Sequence, residues 1–231
     1  AYDITSKESI LRYARKLEGK TVYQAIHDED AYNGMPIGEP DRGFGLSKEF
    51  SGKGGFGQFL EEEYFKKKND SASTADFLEA ELELKTTPLK QGKGGVLQSK
   101  ERIVLGMIDF FTIINEEFES SHFLDKNRNL LLVFYIHDSL RQYHDLEINL
   151  VDIWECVKED GRQIQKDWEL IVDKIRQGNA HEISEGDTLY LGACTKGATR
   201  DSSQRAQPNS EELAHARAFC FKIQYANHIY K

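Results

Sequence analysis

Asp76-Phe77-Leu78-Glu79-Ala80-Glu81-Leu82-Glu83-Leu84-Lys85-Thr86-Thr87-Pro88 is the stretch on which the reading of this chain turns. Its second half alternates apolar and polar residues. In a strand, alternate side chains share a face. Leu82 and Leu84 then point into a core, and Glu81, Glu83 and Lys85 point the other way. Glu83 and Lys85 become neighbours roughly 6.5 to 7 Å apart along the strand. Asp76 lies seven residues before Glu83, and an intervening bend would return its side chain to the same place.

Two carboxylates and a lysine on one polar face suit phosphodiester hydrolysis. The scissile phosphate is anionic and repels hydroxide. Mg²⁺ prefers oxygen ligands and is held by one or two carboxylates. Such an ion lowers the pKa of bound water and offsets charge on the pentavalent transition state. A lysine beside it orients the attacking water and stabilises negative charge. Asp76 and Glu83 are the expected carboxylates and Lys85 the lysine, with Glu61 in reach as a further acid.

To the N-terminal side, Thr5 and Glu8 have capping-box spacing ahead of Ile10, Leu11, Ala14 and Leu17, and Gly19 is the expected stop. A short helix follows over Val22 to His27, then an irregular loop over 28 to 45, rich in Gly, Pro, Asp and Asn. The glycine-dense turn Gly52 to Gly57 leads into a helix over Gln58 to Phe65. Lys66, Lys67 and Lys68 sit at its C-terminal end, where the helix dipole favours cations. Asn69 to Thr74 reads as a polar loop.

To the C-terminal side, Leu82 to Pro88 reads as a strand and Gln91 to Gly95 as a turn. Ile103 to Phe118 is strongly apolar and fits either strand or helix. Leu130 to Ile136 is a short continuous apolar run, the pattern of a buried strand, and Leu146 to Trp154 suggests another. Ile164, Trp168, Ile171 and Ile175 give Asp160 to Gln177 helical spacing, closed by Gly178. Thr188 to Cys194 reads as a strand. Gln207 to Ala218, with a Pro and an acidic start, reads as a helix. The mixture predicts one α/β or α+β domain over residues 1–231.

Composition narrows the rest. With 231 residues, 39% of them hydrophobic, the chain is long enough for a sizeable core. It has no apolar run approaching the roughly eighteen residues of a membrane span, and its polar start lacks the apolar centre of a signal peptide. Cys156, Cys194 and Cys220 form no Cys-x-x-Cys pair, which argues against structural zinc, and free thiols fit a reducing cytoplasm. The net charge is −9. Residues 196 to 231, however, hold six Lys/Arg against three acids, a local +3 that leaves room for a basic surface. Other chemistries fare worse. There is no His-Glu-x-x-His, and no Gly-Lys-Ser/Thr follows the 52–57 glycines as a nucleotide site needs. Cys194 with His137 or His144 as its base has no supporting pattern.

Asp76-x6-Glu83-x-Lys85-Thr-Thr-Pro88 resembles the catalytic motif of the MutH family, which comprises a mismatch-repair nicking nuclease and type II restriction endonucleases cutting GATC. The wider nuclease class carries Pro-Asp…(Asp/Glu)-x-Lys, and here Ala75 replaces the proline. Three more segments match in order. Gly54-Gly-Phe-Gly57-Gln58-Phe-Leu60-Glu61 resembles a family helix whose final Glu joins the metal site. Phe118 to Lys126 resembles the segment leading to a further active-site lysine. Tyr190 to Ala198, followed by Arg217 to Lys222, resembles the DNA-recognition region.

The resemblance implies a restriction-endonuclease-like fold, a mixed central sheet flanked by helices with a DNA-binding cleft. It implies Mg²⁺-dependent cleavage of double-stranded DNA at GATC. Asp76, Glu83 and Glu61 would hold the metal, and Lys85 and Lys126 would position water and phosphate. Cys194, Thr195 and Lys196 would lie at the major groove, and Arg217 and Lys222 at phosphates. The mismatch-repair branch carries Arg-Pro-Lys where this chain has Cys194-Thr195-Lys196, and a tyrosine near Cys220. Both departures favour the restriction branch. In that branch a second, inactive domain of the same fold follows the catalytic one, so the chain reads as an N-terminal catalytic half, completed by that domain or by a dimer partner. A mismatch-repair nicking enzyme and a silent GATC-binding module are the alternatives.

Overall fold

The structure is a computed structural model describing residues 2–32, 54–67, 74–156, 158, 160–197 and 203–231. The chain opens with helix α1 (Lys7–Ala14) and helix α2 (Val22–Tyr32). Ser6 caps α1, its hydroxyl accepting from Ser9 N–H at 3.2 Å. The cap is thus one residue later than the Thr5 expected, because the Thr5 hydroxyl is engaged with Asp3. Helix α2 runs through the start of the segment expected to be loop, and the remainder of 28–45 lies outside the described residues.

Helix α3 (Gly55–Phe59) begins after Gly54, whose φ of 93° places it in the left-handed region, and continues as a π turn over Leu60–Tyr64. A Cβ at Gly57 would lie 3.5 Å from Thr86 Oγ1, so α3 packs close against the strand that carries Thr86. Most of the expected Asn69–Thr74 loop, like Gly52 and Lys68, lies outside the described residues.

Strand β1 (Glu83–Gln91) pairs antiparallel with β2 (Leu97–Ser99), and the expected Gln91–Gly95 turn joins them. The apolar stretch from Ile103 divides into β3 (Ile103–Met107) and a short helix α4 (Phe110–Ile113). Asp109 decides the switch: its carboxylate accepts from Phe111 and Thr112 N–H at 2.9 and 3.0 Å, capping α4. Helix α5 (His122–Asn127), capped by Ser121, leads into β4 (Asn129–Ile136) and then β5 (Ile148–Glu155). Helix α6 (Gly161–Arg176) ends before Gly178, at φ 80°, as its spacing predicts. The last elements are β6 (Leu191–Thr195), β7 (Gln204–Arg205), β8 (Ala214–His215), β9 (Arg217–Phe221) and α7 (Ile223–Ile229).

The helix expected over Gln207 to Ala218 is not formed. Asn209 sits at φ 56°, and the buried Gln207 side chain accepts from Ala180 N–H at 2.7 Å and donates to Glu212 O at 2.8 Å. The Pro208 and acidic signals serve a turn. Arg217–Phe221 is wholly buried, paired with β3 on one side and β6 on the other, and that pairing overrides local helix preference.

The sheets follow the order β2-β1-β4-β5, with β1 and β4 parallel, and β3-β9-β6, all antiparallel. Strand β4 is buried on both faces, which explains its unbroken apolar sequence. Leu130, Leu132 and Phe134 pack towards α6, α7 and the second sheet, among Trp154, Trp168, Phe219 and Phe221. Leu131 and Val133 pack the opposite way with Leu82, Leu84, Ile10, Leu17, Leu60 and Tyr64, the core under α1 to α3. The result is a mixed α/β fold with a mixed central sheet flanked by helices, the restriction-endonuclease-like arrangement expected. Among the described residues no helix is long and apolar enough to cross a membrane.

Candidate active site

The site is built where β1 begins. Asp76 to Leu82 forms a tight loop, closed by Phe77 N–H to Leu82 O at 2.9 Å and Leu82 N–H to Phe77 O at 3.2 Å. Glu81 takes φ 49°, and its carbonyl accepts from the Asn129 side chain at 2.9 Å. Glu81 therefore precedes the strand and does not share its polar face, unlike the alternation expected from sequence; only Glu83 and Lys85 do.

This loop returns Asp76 to Glu83. The Asp76 N–H donates to Glu83 Oε2 at 3.1 Å, and Asp76 Oδ2 accepts from Leu84 N–H at 2.8 Å. Lys85 Nζ reaches Glu83 Oε1 at 2.5 Å, and Lys126 Nζ, carried by α5, lies 3.5 Å from the same oxygen. The Ser121 cap, which accepts from Leu124 N–H at 3.1 Å and donates to Phe118 O at 2.7 Å, fixes the short helix that projects Lys126. Lys126 also lines a cavity of about 560 Å³ running between Ala75, Leu78 and Glu81 on one side and His122 and Arg128 on the other.

Glu83 is almost fully buried. Burial raises its carboxyl above the usual range, Lys85 opposes the shift, and Asp76 adds to it. Glu61, on the π turn after α3, is half-buried and pushed up to about 7, chiefly by burial and then by Asp76, with Lys67 pulling it down. Glu61, Asp76, Glu83 and Lys85 therefore share one electrostatic environment.

Lys67 follows the helix end as its sequence position predicts, but it has a partner that sequence reasoning did not find. It reads there as one of three cations at a helix end. Lys66, at φ 55°, turns the chain out of the helix, Lys67 N–H donates to Glu61 O at 2.9 Å, and Lys67 Nζ stands 4.0 Å from Asp76 Oδ1. No periodicity signals a left-handed lysine. Asn129 was also missed, since its role depends on the fold alone.

Among the described residues no three His, Cys, Asp or Glu side chains form a ready-made metal cage. The donor set still fits Mg²⁺, which keeps several waters and needs one or two carboxylates plus a phosphate. Asp76 and Glu83 would supply those carboxylates, and a divalent cation would offset the burial that disfavours the charged form of Glu83.

The second group of expected residues lies on β6 and β9. Thr195 is exposed, and Cys194 and Lys196 are half-buried. Lys196 N–H donates to Ala216 O at 2.7 Å. Arg217 and Lys222 are turned inward. Arg217 is 8% exposed and donates to Ala193 O at 2.9 Å. Lys222 is 5% exposed, its ammonium held by the carbonyls of Glu185 and Thr188. Neither head group is presented to a phosphate in this arrangement, because each satisfies backbone carbonyls. Arg102, absent from the sequence reading, joins Cys194, Thr195 and Arg217 around a cavity of about 360 Å³. Asp167 of α6 anchors the approach to β6, accepting from Leu189, Tyr190 and Leu191 N–H at 3.0, 2.6 and 2.9 Å.

The family described as DNA mismatch repair enzyme MutH matches residues 65–167, a span containing Asp76, Glu83, Lys85 and Lys126. Residues 65–167 are thus similar to that family. It is 44% identical over 170 residues, 73% of its length, to the type II restriction enzyme Sau3AI of Staphylococcus aureus, and spans 35% of that enzyme. It is 25% identical over 179 residues to the DNA mismatch repair protein MutH of Shewanella amazonensis, covering 77% of this chain and 78% of that protein. Within that span, Asp76, Lys85 and Lys126 converge on one acid, Glu83.

Proposed function

We propose that this chain is the catalytic domain of a type II restriction endonuclease, hydrolysing phosphodiester bonds of double-stranded DNA at GATC with Mg²⁺. The observation that carries the reading is the interlocked pair Asp76 and Glu83 with Lys85 and Lys126 on the same Glu83 oxygen. A solvated Glu-x-Lys strand has no reason to bury its acid, fold another acid back onto it and direct a distant lysine at it.

Asp76 and Glu83, supported by Glu61, would hold Mg²⁺. Once bound, the ion would lower the pKa of a coordinated water and offset charge on the phosphate. Lys85, on the strand beside Glu83, orients the attacking water. Lys126, reaching in from α5, binds the scissile phosphate and stabilises the charge that grows on it. Attack at phosphorus opposite the leaving 3′-oxygen gives a 5′-phosphate end. Lys196, with Cys194 and Thr195, reads the major groove. The bacterial cytoplasm is the proposed workplace, with a second domain of the same fold or a second copy completing a two-fold arrangement on the palindrome.

Kinship with a restriction enzyme at 44% identity favours the restriction reading, as does Cys194-Thr195-Lys196 where the repair branch has Arg-Pro-Lys. Coverage of 78% of a mismatch-repair protein favours a nicking enzyme as the second reading. Retention of Asp76, Glu83 and Lys85 speaks against a silent module.

The deciding experiment is plasmid digestion with Mg²⁺, Ca²⁺ or a chelator, with the ends sequenced. Double-strand cuts at GATC with Mg²⁺ alone are expected. Single-strand cuts at GATC would support the nicking reading, and specific binding without cutting would support the silent module.

A further inference from the structure

Cys194 and Cys220 play no part in the hydrolysis. In the β6–β9 register Gly192 faces Cys220 and Cys194 faces Ala218, so the two cysteines are diagonal neighbours on one face of the sheet. Gly192 has no side chain to cover Cys220, whose Sγ lies 3.7 Å from where a Cβ would be. Both thiols line the same cavity as Arg102 and Arg217. Arg217 is more than nine-tenths buried, yet its Nε has no hydrogen-bond partner. The surroundings are cationic, with Lys196, Arg102 and Arg217 near Cys194; Glu185, the one acid among the described residues lining the cavity, is paired with Arg102.

We propose that Cys194 and Cys220 form a peroxide-sensitive thiol pair, a modification site at which oxidation disables DNA recognition by β6. The binding half of this proposal rests on the reading of β6 as the recognition strand.

The chemistry suits the pair. A hydrogen bond with Cys220 lowers Cys194 to about 6, helped by Lys196 and Arg102 against burial, while the same contact and burial push Cys220 far up. Cys194 is thus the nucleophile and Cys220 the protonated resolving thiol. The Cys194 thiolate attacks one oxygen of a hydroperoxide, the O–O bond breaks, and the hydroxide released takes a proton to leave as water. This leaves a sulfenic acid on Cys194. The Cys220 sulfur attacks that sulfur, the S–O bond breaks, a second water leaves with the thiol proton, and the disulfide forms. Two thiols lose two electrons and the peroxide gains them. A dithiol reductant reverses the change.

Strand geometry makes the product consequential. Diagonal neighbours have Cα atoms about 7–8 Å apart, whereas a disulfide needs about 4.4–6.8 Å. Closing it draws the end of β6 towards β9 by about an ångström on those figures, and Thr195 and Lys196 move with it. The strain also makes the bond easy to reduce.

The test treats the reduced chain with a slight excess of hydrogen peroxide and maps an unreduced digest by mass spectrometry. A peptide joining Cys194 to Cys220 is expected, with Cys156, buried and pushed up to about 11, still free to alkylate after unfolding. Cys220→Ala should stop at a sulfenic acid on Cys194, trapped by a 1,3-dione. Absence of both the cross-link and the trapped acid overturns the proposal. Binding to a GATC duplex in Ca²⁺ should weaken about tenfold on oxidation, the scale of losing one base contact, and recover with dithiothreitol. The Cys194→Ser/Cys220→Ala pair should show no change on peroxide relative to its own untreated affinity. A cross-link without loss of affinity overturns the switch. A reduced chain that does not prefer GATC to a scrambled duplex overturns the reading of β6 instead, a failure visible before any peroxide is added.

Discussion

Asp76 and Glu83 hold each other in place through the backbone: the Asp76 amide donates to the Glu83 carboxylate, and the Asp76 carboxylate accepts from the amide that follows Glu83. Each acid positions the other, so the pair behaves as one unit. Asp76→Asn and Glu83→Gln should each reduce cleavage by at least about a hundredfold, the scale of losing a group that stabilises transition-state charge. Glu83→Gln should not lower the melting temperature at pH 8 without metal, since it removes a buried charge held in its unfavourable form. Near-normal cleavage by either variant would sink the assignment.

The raised acids give the site a pH signature. Glu61 is pushed up to about 7 from an ordinary value near 4.5. Its contribution to stability is therefore present below about 4.5 and is lost as pH rises through about 7, because the fold disfavours the ionised form. A divalent cation reverses that preference. The rise in melting temperature caused by Mg²⁺ should be larger at pH 8 than at pH 6, and Glu61→Gln should flatten the difference. Lys67→Met should move the Glu61 midpoint upward. Equal shifts at both pH values would remove Glu61 from the metal site.

Asp167 should matter to recognition without touching DNA. Asp167→Ala leaves three amides of residues 189 to 191 without their acceptor. Urea titration should show a loss of about 2 kcal/mol or more. GATC affinity should fall further than affinity for scrambled DNA, because the lead-in to β6 loosens. Unchanged denaturation midpoints would contradict the anchoring role.

Lys196 and Lys222 should separate cleanly. Lys196→Ala should weaken binding to GATC by about 1–3 kcal/mol and reduce the preference over other sequences. Lys222→Ala, which abandons two buried carbonyls, should lower the melting temperature by about 5 °C and leave the salt dependence of DNA binding intact. A reduced salt slope in Lys222→Ala would restore it as a phosphate contact.

How much of this was legible varies by residue. Leu130 to Ile136 announces a strand buried on both faces, since nothing else explains seven apolar residues in succession. Ile164, Trp168, Ile171 and Ile175 announce α6. Glu83 and Lys85 announce a shared polar face. The loop that brings back Asp76 was inferable as a need, yet its details, a left-handed Glu81 tied to Asn129, come from pairing between distant segments. The approach of Lys67 to Asp76 was hidden because it follows a left-handed turn at Lys66 that no local pattern signals. Gln207 to Ala218 carried a helix signature that strand pairing overrode. The inward turn of Arg217 and Lys222 is likewise a tertiary outcome, and a cation count cannot distinguish a solvated head group from one that binds carbonyls.

The parallel pairing of β1 with β4, which sets Glu83 beside Leu130, has a consequence for synthesis. Asp76, Glu83 and Lys85 leave the ribosome together, but the strand that supports them, the asparagine that holds their loop and the lysine that reaches Glu83 emerge some forty residues later. A truncated chain ending near Gln91 carries the motif without its site. Under the proposed function, nuclease activity would be withheld from nascent chains and from fragments cut between the two strands, an advantage for a cell that must make such an enzyme beside its own genome.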